Sequence, residues 1–280
     1  MKKKITELFE NKWVINAFWL VLLVIVWEIG AVAVEATKRI PEIIMPHLYQ
    51  IVEAIFSTKK VANGMTAVMV VLTSARATLL RAMGGFLLGT ALGFLFALFM
   101  KLSGIVEKLL FPYLMLIQLI PVLGLAPIIL SITGDINQSR IVIAAILSFY
   151  PVATNTLAGF KSVEKDKYDL MYTYAAKKRT IYTKVLIPSA IPYFFTGLKI
   201  AAPMAITASI LVDTLQGDGG LGCMLSQSLK HAMSIYVFWL IVFFSAFIGI
   251  FSGYLINLIE TIVSPEKRGN RKVRRKKGEN

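Results

Sequence analysis

Polar and ionisable side chains are scarce within the apolar runs of this 280-residue chain, and those that occur mark where chemistry at membrane depth is possible. Glu28 lies late in the first run, Lys199 midway through another and Asp213 at the far end of that same run. Gln118 precedes Pro121 by three residues, about one helical turn, and Asn155 sits in a fourth run. The chain has one cysteine, Cys223, and two histidines, His47 and His231, so it offers no intrachain disulfide and no metal-ligand constellation. An enzyme acting inside a membrane would need a cluster of His, Asp, Glu or Cys, and the spacing supplies none. Gly217, Gly219, Gly220 and Gly222 permit tight turns. They follow no strand, and no GxxxxGK[ST] occurs, so nucleotide or other cofactor binding by this chain is not expected. Isolated polar groups in apolar runs pair with one another or line a path for a polar solute. Gln118, Pro121, Asn155, Lys199 and Asp213 are the candidates for such a path. Each also has a plain structural reading. Lys199, eleven residues beyond Pro188 and roughly 16 Å along a helix, could snorkel to an interface.

The elements that would position these residues are membrane helices. Hydrophobic residues make up 56% of the chain and the mean hydropathy is +0.69. Charged residues make up 16%, against about 25% in a soluble domain. Residues 82–100, 109–134, 141–160 and 232–259 contain no charge. With roughly 20 apolar residues needed per crossing, the expected fold is an all-α polytopic membrane protein of about six spans. They fall near 13–34, 82–100, 109–132, 141–160, 189–213 and 235–259. "AVA" at Ala31–Ala33 resembles a signal-peptide cleavage site, but the long first run reads better as a retained span.

The net charge of +14 is placed for orientation rather than for nucleic acid. With a cytosolic amino terminus, the cytosolic pieces 1–12, 101–108, 161–188 and 260–280 hold 21 of the 30 Lys and Arg, which puts both termini inside. No aromatic-basic module accompanies the charge, and the tails suit membrane lipid. The expected divisions are a cytosolic amino terminus (1–12), a first span with an interfacial helix (13–60), a core (61–262) and a basic tail (263–280).

Residues 61–81 read as an interfacial helix leading into the second span, with a seventh span as the alternative. Pro41–Phe56 reads as a short amphipathic helix, on the outer membrane surface or against the bundle, with Leu48, Ile51, Val52 and Ile55 at helical spacing. Gly85, Gly89 and Gly93, four apart, give one helix face that admits a close neighbour from this chain or a partner subunit. Pro112, Pro121 and Pro127 predict a kinked third span.

Between the fourth and fifth spans, "SVEKDKYDLMYTYAAKK" (162–178) reads as a helix with Asp166 as its N-cap and Leu170, Met171, Tyr174 and Ala175 on one face. A helix this short is marginal alone and must dock, either on the chain's own bundle or in a groove of a soluble partner. Pro188 and Pro192 then close the charged segment as the chain turns apolar.

This loop resembles the cytosolic E-A-A-x-x-x-G-x9-I-x-L-P signature of permease subunits of type I bacterial ABC importers. With the proline on Pro188, I-x-L-P falls on Val185–Pro188, the glycine on Ala175, and E-A-A on Asp169, Leu170 and Met171. The acid is kept as Asp169, whereas alanine replaces glycine and Leu and Met replace the two alanines. "LIPSAIPYFFTGLKIA", "TLLRAMGGFLLGTALG", "IPVLGLAPIIL", "FYPVATNTLAGFKSV" and "GDGGLG" resemble, in order, runs of the subfamily serving nitrate, alkanesulfonate, taurine and pyrimidine-precursor uptake. The resemblance covers about residues 40–260.

The resemblance implies a permease that pairs with a second copy, as a homodimer, and with two ABC ATPase subunits that bind the ATP. It implies an extracytoplasmic binding protein or lipoprotein that delivers a small nutrient, and a bacterial inner membrane as the location. The loop would be the coupling helix. Tyr168, Leu170, Met171 and Tyr174 would form its ATPase-docking face and Asp169 a polar anchor, with Ala175 and Pro188 at the motif's fixed positions. Lys177, Lys178 and Arg179 would hold the loop at lipid phosphates. The competing reading is a secondary transporter or channel without an ATPase, but no inverted repeat is visible.

Overall fold

The computed structural model describes residues 12–39, 41–62, 64–216, 219–230 and 235–264. The basic amino terminus and tail, Gly217 and His231 lie outside the described residues. The described chain is helical apart from one short hairpin: α1 (Lys12–Thr37), α2 (Pro41–Ile44), α3 (Leu48–Phe56), β1 (Lys60–Ala62), β2 (Met65–Thr66), α4 (Ala67–Leu102), α5 (Gly104–Leu119), α6 (Val122–Thr133), α7 (Ile136–Lys161), α8 (Lys165–Thr173), α9 (Lys178–Ile181), a π-helical turn (Tyr182–Leu186), α10 (Ile187–Gln216), α11 (Leu221–Lys230) and α12 (Ile235–Val263). Five of the described helices or helix runs are long and apolar enough to cross a membrane, and the bent pair α5–α6 makes a sixth if counted as one span.

Two compact units are formed, one by the residues up to Leu72 with Leu225–Val242, the other by Thr73–Met224 with the residues from Phe243 onward. In the first unit, α3 is tied to α1. The Trp27 indole donates to the Pro46 carbonyl at 3.0 Å, and Glu28 accepts from the Leu48 backbone N–H at 2.9 Å. His47 Nδ1 lies 2.6 Å from the other Glu28 oxygen, and His47 Nε2 lies 3.4 Å from Glu35. The helix expected over Pro41–Phe56 is therefore two pieces, parted at Met45–His47 where the chain bonds back to α1. Trp27 and Trp239 meet edge to face at 4.9 Å within the same unit.

The Glu28 carboxylate, and after it Glu35, holds the His47 imidazole above its ordinary value, against the opposing effect of burial. A raised folded-state value means the tie is fully present below the unfolded imidazole's value of about 6.5 and is lost as pH rises through the folded one. The thermal midpoint of the purified chain should accordingly fall across that alkaline-side window. A His47→Gln variant should show a flatter profile.

In the second unit, α7 is the central helix, with most of its apolar side chains buried, and it pairs extensively with α10. The Gly85–Gly89–Gly93 face of α4 packs on α7 of the same chain. A β-carbon at Gly93 would lie 2.8 Å from the Phe149 carbonyl oxygen and 3.0 Å from Val152. The small-residue stripe is thus used inside the chain. Gly197 of α10 makes the matching approach on the other side, where a β-carbon would lie 2.8 Å from the Pro151 carbonyl oxygen.

Three expectations are corrected here. β1 and β2 form a hairpin, and Ala67–Leu102 is one 36-residue helix, so the described part of 61–81 holds neither a separate interfacial helix nor a seventh span. Arg76 and Arg81 fail to interrupt it because α4 is longer than a bilayer core requires. The third span is broken rather than kinked: α5 and α6 diverge by 111° around Ile120–Pro121. Pro121 ends up as the N-cap of α6, where its missing N–H costs no intrahelical bond. The chain also runs helically through Pro188. The π turn before it takes up one extra residue, with the Ile187 N–H bonded to the Tyr182 carbonyl, and the proline enters in the first turn of α10. Pro192 and Pro203 are likewise carried inside α10.

Candidate functional site

The segment between α7 and α10 builds a short projecting helix. α8 starts after Glu164, whose backbone is extended (φ −60°, ψ 144°) and whose carbonyl accepts from the Lys167 N–H at 3.2 Å. Asp166, expected as the cap, sits instead in the first turn, where its charge complements the helix dipole. A nine-residue helix needs tertiary support. Tyr168 and Met171, three apart, provide it by packing on the core formed by Phe160, Val163, Ile181 and Val185, and Lys101 Nζ lies 5.7 Å over the Tyr168 ring.

The face expected for docking is therefore divided. Tyr168 and Met171 turn toward the chain's own core. Leu170 (53% exposed) and Tyr174 (74%), four apart, face outward, joined by Tyr172, which the helical-face reading missed. Asp169 is exposed beside them. The missed signal was the hydrophobic pair Val163 and Ile181 flanking the loop, which forces one face of α8 inward.

α8 ends in a Schellman turn. Ala176 N–H bonds to the Met171 carbonyl at 3.0 Å and Ala175 N–H to Tyr172 at 2.9 Å. Ala175 is the residue forced into the left-handed region, at φ 49°, and is the one non-glycine residue with positive φ among those described. That is the motif position normally held by glycine. A β-carbon there costs roughly 1–2 kcal/mol, so Ala175→Gly should raise the stability of this turn by about 1 kcal/mol after glycine's own entropic cost. Ala175→Val should lower it. Thermal unfolding of the two variants in one detergent checks the opposed signs.

At the other end of α10, some 26 residues and about 39 Å of helical rise from Ile187, lies a buried polar cluster. Asp213 Oδ1 pairs with Arg81 Nη1 at 2.8 Å and with Arg140 Nε at 3.0 Å, and Oδ2 accepts from Thr78 Oγ1 at 2.6 Å. Thr78 Oγ1 in turn accepts from the Leu221 N–H at 2.8 Å, and Ser209 donates to the Thr78 carbonyl at 3.2 Å. Asp213, Arg140 and Thr78 are fully buried. The cluster joins α4, α7 and α10 and fixes the start of α11. Gly220 follows from it: at φ 98°, a β-carbon would run into the Asp213 carboxylate.

The remaining path candidates are scattered. Lys199 pairs with Glu260 of α12, so its charge is neutralised inside the bundle. Asn155 donates to the Pro151 carbonyl at 2.8 Å, in the contact between α7 and α10. Gln118 is exposed on the last turn of α5, and Pro121 is exposed at the break that follows. The structure gathers none of these four around Asp213. Arg81, Arg140 and Glu260 were missed as partners although each borders a charge-free run.

Known proteins resemble this chain in sequence and in fold. Residues 85–269 match the family described as "Binding-protein-dependent transport system inner membrane component". The formylaminopyrimidine transport permease protein ThiX of Halalkalibacterium halodurans is 31% identical over 254 residues, covering 90% of this chain and 94% of its own length. The nitrate import permease protein NrtB of Synechococcus elongatus is 28% identical, covering 66% of this chain and 67% of its own. Among solved structures, a chain of an amino acid ABC transporter superposes with a TM-score of 0.59 at 19% identity, over 70% of this chain and 95% of its own, and so shares the fold. The chain belongs to the family of binding-protein-dependent transport system inner-membrane components and is a permease subunit of a type I ABC importer.

Proposed function

We propose that this permease carries a small heteroaromatic or anionic nutrient, of the pyrimidine-precursor, nitrate, sulfonate or taurine class, and that α8 is the element through which ATPase subunits drive it. The observation that carries the coupling assignment is the division of α8 into an anchored face and an outward face. A lever must be fixed to what it moves and free toward what moves it. Tyr168 and Met171 supply the first, and Leu170, Tyr172 and Tyr174 the second. After the short turn at Tyr174–Lys177, helix runs from Lys178 to Gln216 without an irregular break, so displacement of α8 reaches α10 through four residues held by the Schellman bonds.

ATP belongs to the partner subunits in this reading, and the chain itself is a pore subunit without a catalytic site or cofactor. Two copies form the pore, a binding protein or lipoprotein meets it on the outer side, and both termini face the cytosol of a bacterial cell. Within the substrate range, the pyrimidine-precursor class is favoured because the ThiX relative matches along nearly the full length of both chains. Lys177, Lys178 and Arg179 hold the loop at lipid phosphates. The test is co-purification with the ATPase, together with uptake, for Leu170→Asp and Tyr174→Asp variants; retained association and retained uptake would reject the assignment of α8.

A further inference from the structure

We infer that α3 is a lipid-inserted interfacial helix, held in the leaflet that the carboxyl end of α1 reaches, with one arc in the acyl region and the opposite arc on an aqueous cleft. The inference stands on the first unit alone and is independent of how α8 functions.

The height of α3 comes from its ties. Its amino end is bonded to Trp27 and Glu28, whereas α1 continues to Thr37. The apolar span of α1 runs from Val14 to Thr37. A hydrocarbon core of about 30 Å takes about 20 of those residues, which places its boundary near Val34 and Glu28 about 9 Å beneath it. The chain therefore turns back after α1 and begins α3 below the boundary, a depth typical of helices that lie in the interface, about 5–10 Å in. This also explains how Glu28 is tolerated: both its oxygens are engaged at that level.

The side chains of α3 are sorted to match. Val52, Ile55 and Phe56 occupy one arc of roughly 100° and stay exposed, Phe56 at 80%. Ile51, on the flank of that arc, is buried in the unit. Tyr49, Gln50, Glu53 and Ala54 turn away from it, and with Lys59 and Tyr236 they line an open cleft of about 620 Å³. An exposed apolar arc backed by a polar cleft is what an interfacial helix requires; a helix surrounded by water would leave Val52 and Phe56 hydrated. Lys59 and Lys60, immediately after the helix, carry positive charge toward the level of headgroup phosphates. The same unit's α1 presents exposed Leu20, Leu23 and Ile29 to lipid, so the arc continues a surface that is already apolar.

The test uses the full chain reconstituted in phosphatidylethanolamine–phosphatidylglycerol vesicles. Nitroxide labels go on Val52→Cys, Phe56→Cys and Glu53→Cys, each in a Cys223→Ala background, with Ile55→Cys as a second arc position should one variant not fold. Collision with oxygen should exceed collision with a water-soluble nickel chelate severalfold at 52 and 56, and the order should reverse at 53. Equal chelate access at 52, 53 and 56 would overturn the inference by placing the arc in water. Exclusion of both reagents at 52 and 56 would overturn it by placing a second copy or another protein on the arc.

Discussion

Asp213→Ala should destabilise the permease by about 3–5 kcal/mol, the range expected when one member of a buried charge network is deleted. Arg140 is fully buried and Arg81 nearly so, and both guanidinium groups converge on one carboxylate oxygen. Without that carboxylate, two positive charges remain at close quarters in a region where water cannot reach them easily, and the Thr78 hydroxyl loses its acceptor. The effect spreads because each partner lies on a different helix: α4, α7, α10 and, through Thr78, the start of α11. Asp213→Asn keeps the volume and one acceptor, so it should fall between wild type and alanine.

A second substitution distinguishes charge pairing from simple packing. Replacing a buried ion pair by apolar side chains is often near neutral, so Asp213→Ala combined with Arg140→Met should recover a good part of the single variant's loss. Thermal midpoints and monodisperse yields in a single detergent give the comparison. A single variant that loses no more than a surface substitution would show that the cluster is not what holds these helices together.

Much of the fold is legible in local, repeated signals. Charge-free runs located the spans, and the four-residue glycine spacing announced a close helix contact, which α7 fills. Charges at the edges of those runs do not mark helix ends. Arg81, Arg140 and Glu260 each stand at the edge of a charge-free run and so looked like span ends. The helices continue past them: α4 has 36 residues, α7 has 26 and α12 has 29. Those border charges fold into the bundle, where Asp213 and Lys199 meet them across 61 to 132 positions of sequence. No local pattern encodes such pairing.

Proline misled in a related way. Pro121 breaks its span, whereas Pro188 and Pro192 lie inside a helix, and the residue type alone does not separate these outcomes. At Pro188 the π turn relieves the clash with the preceding turn. Ala175 shows the converse case. Its place in the motif marked it as a departure from glycine, and the left-handed backbone supplies the physical reason glycine is usual there.

The largest functional effect should come from the outward face of α8. Leu170→Asp and Tyr174→Asp together should abolish ATPase association and reduce uptake to background, while leaving the fold intact because both side chains are exposed in the isolated chain. Aromatic and large apolar anchors at an interface centre commonly contribute 2 kcal/mol or more, so about a 30-fold loss of affinity is expected from Tyr174→Asp alone. The inward face predicts a different pattern. Met171→Ala removes support from α8 without touching the docking surface, so it should lower thermal stability by up to about 2 kcal/mol and weaken ATPase association only as far as α8 loosens. If the outward and inward variants instead lose association equally at matched stability, the division of α8 has no bearing on coupling, and the ATPase contact must lie elsewhere on the chain.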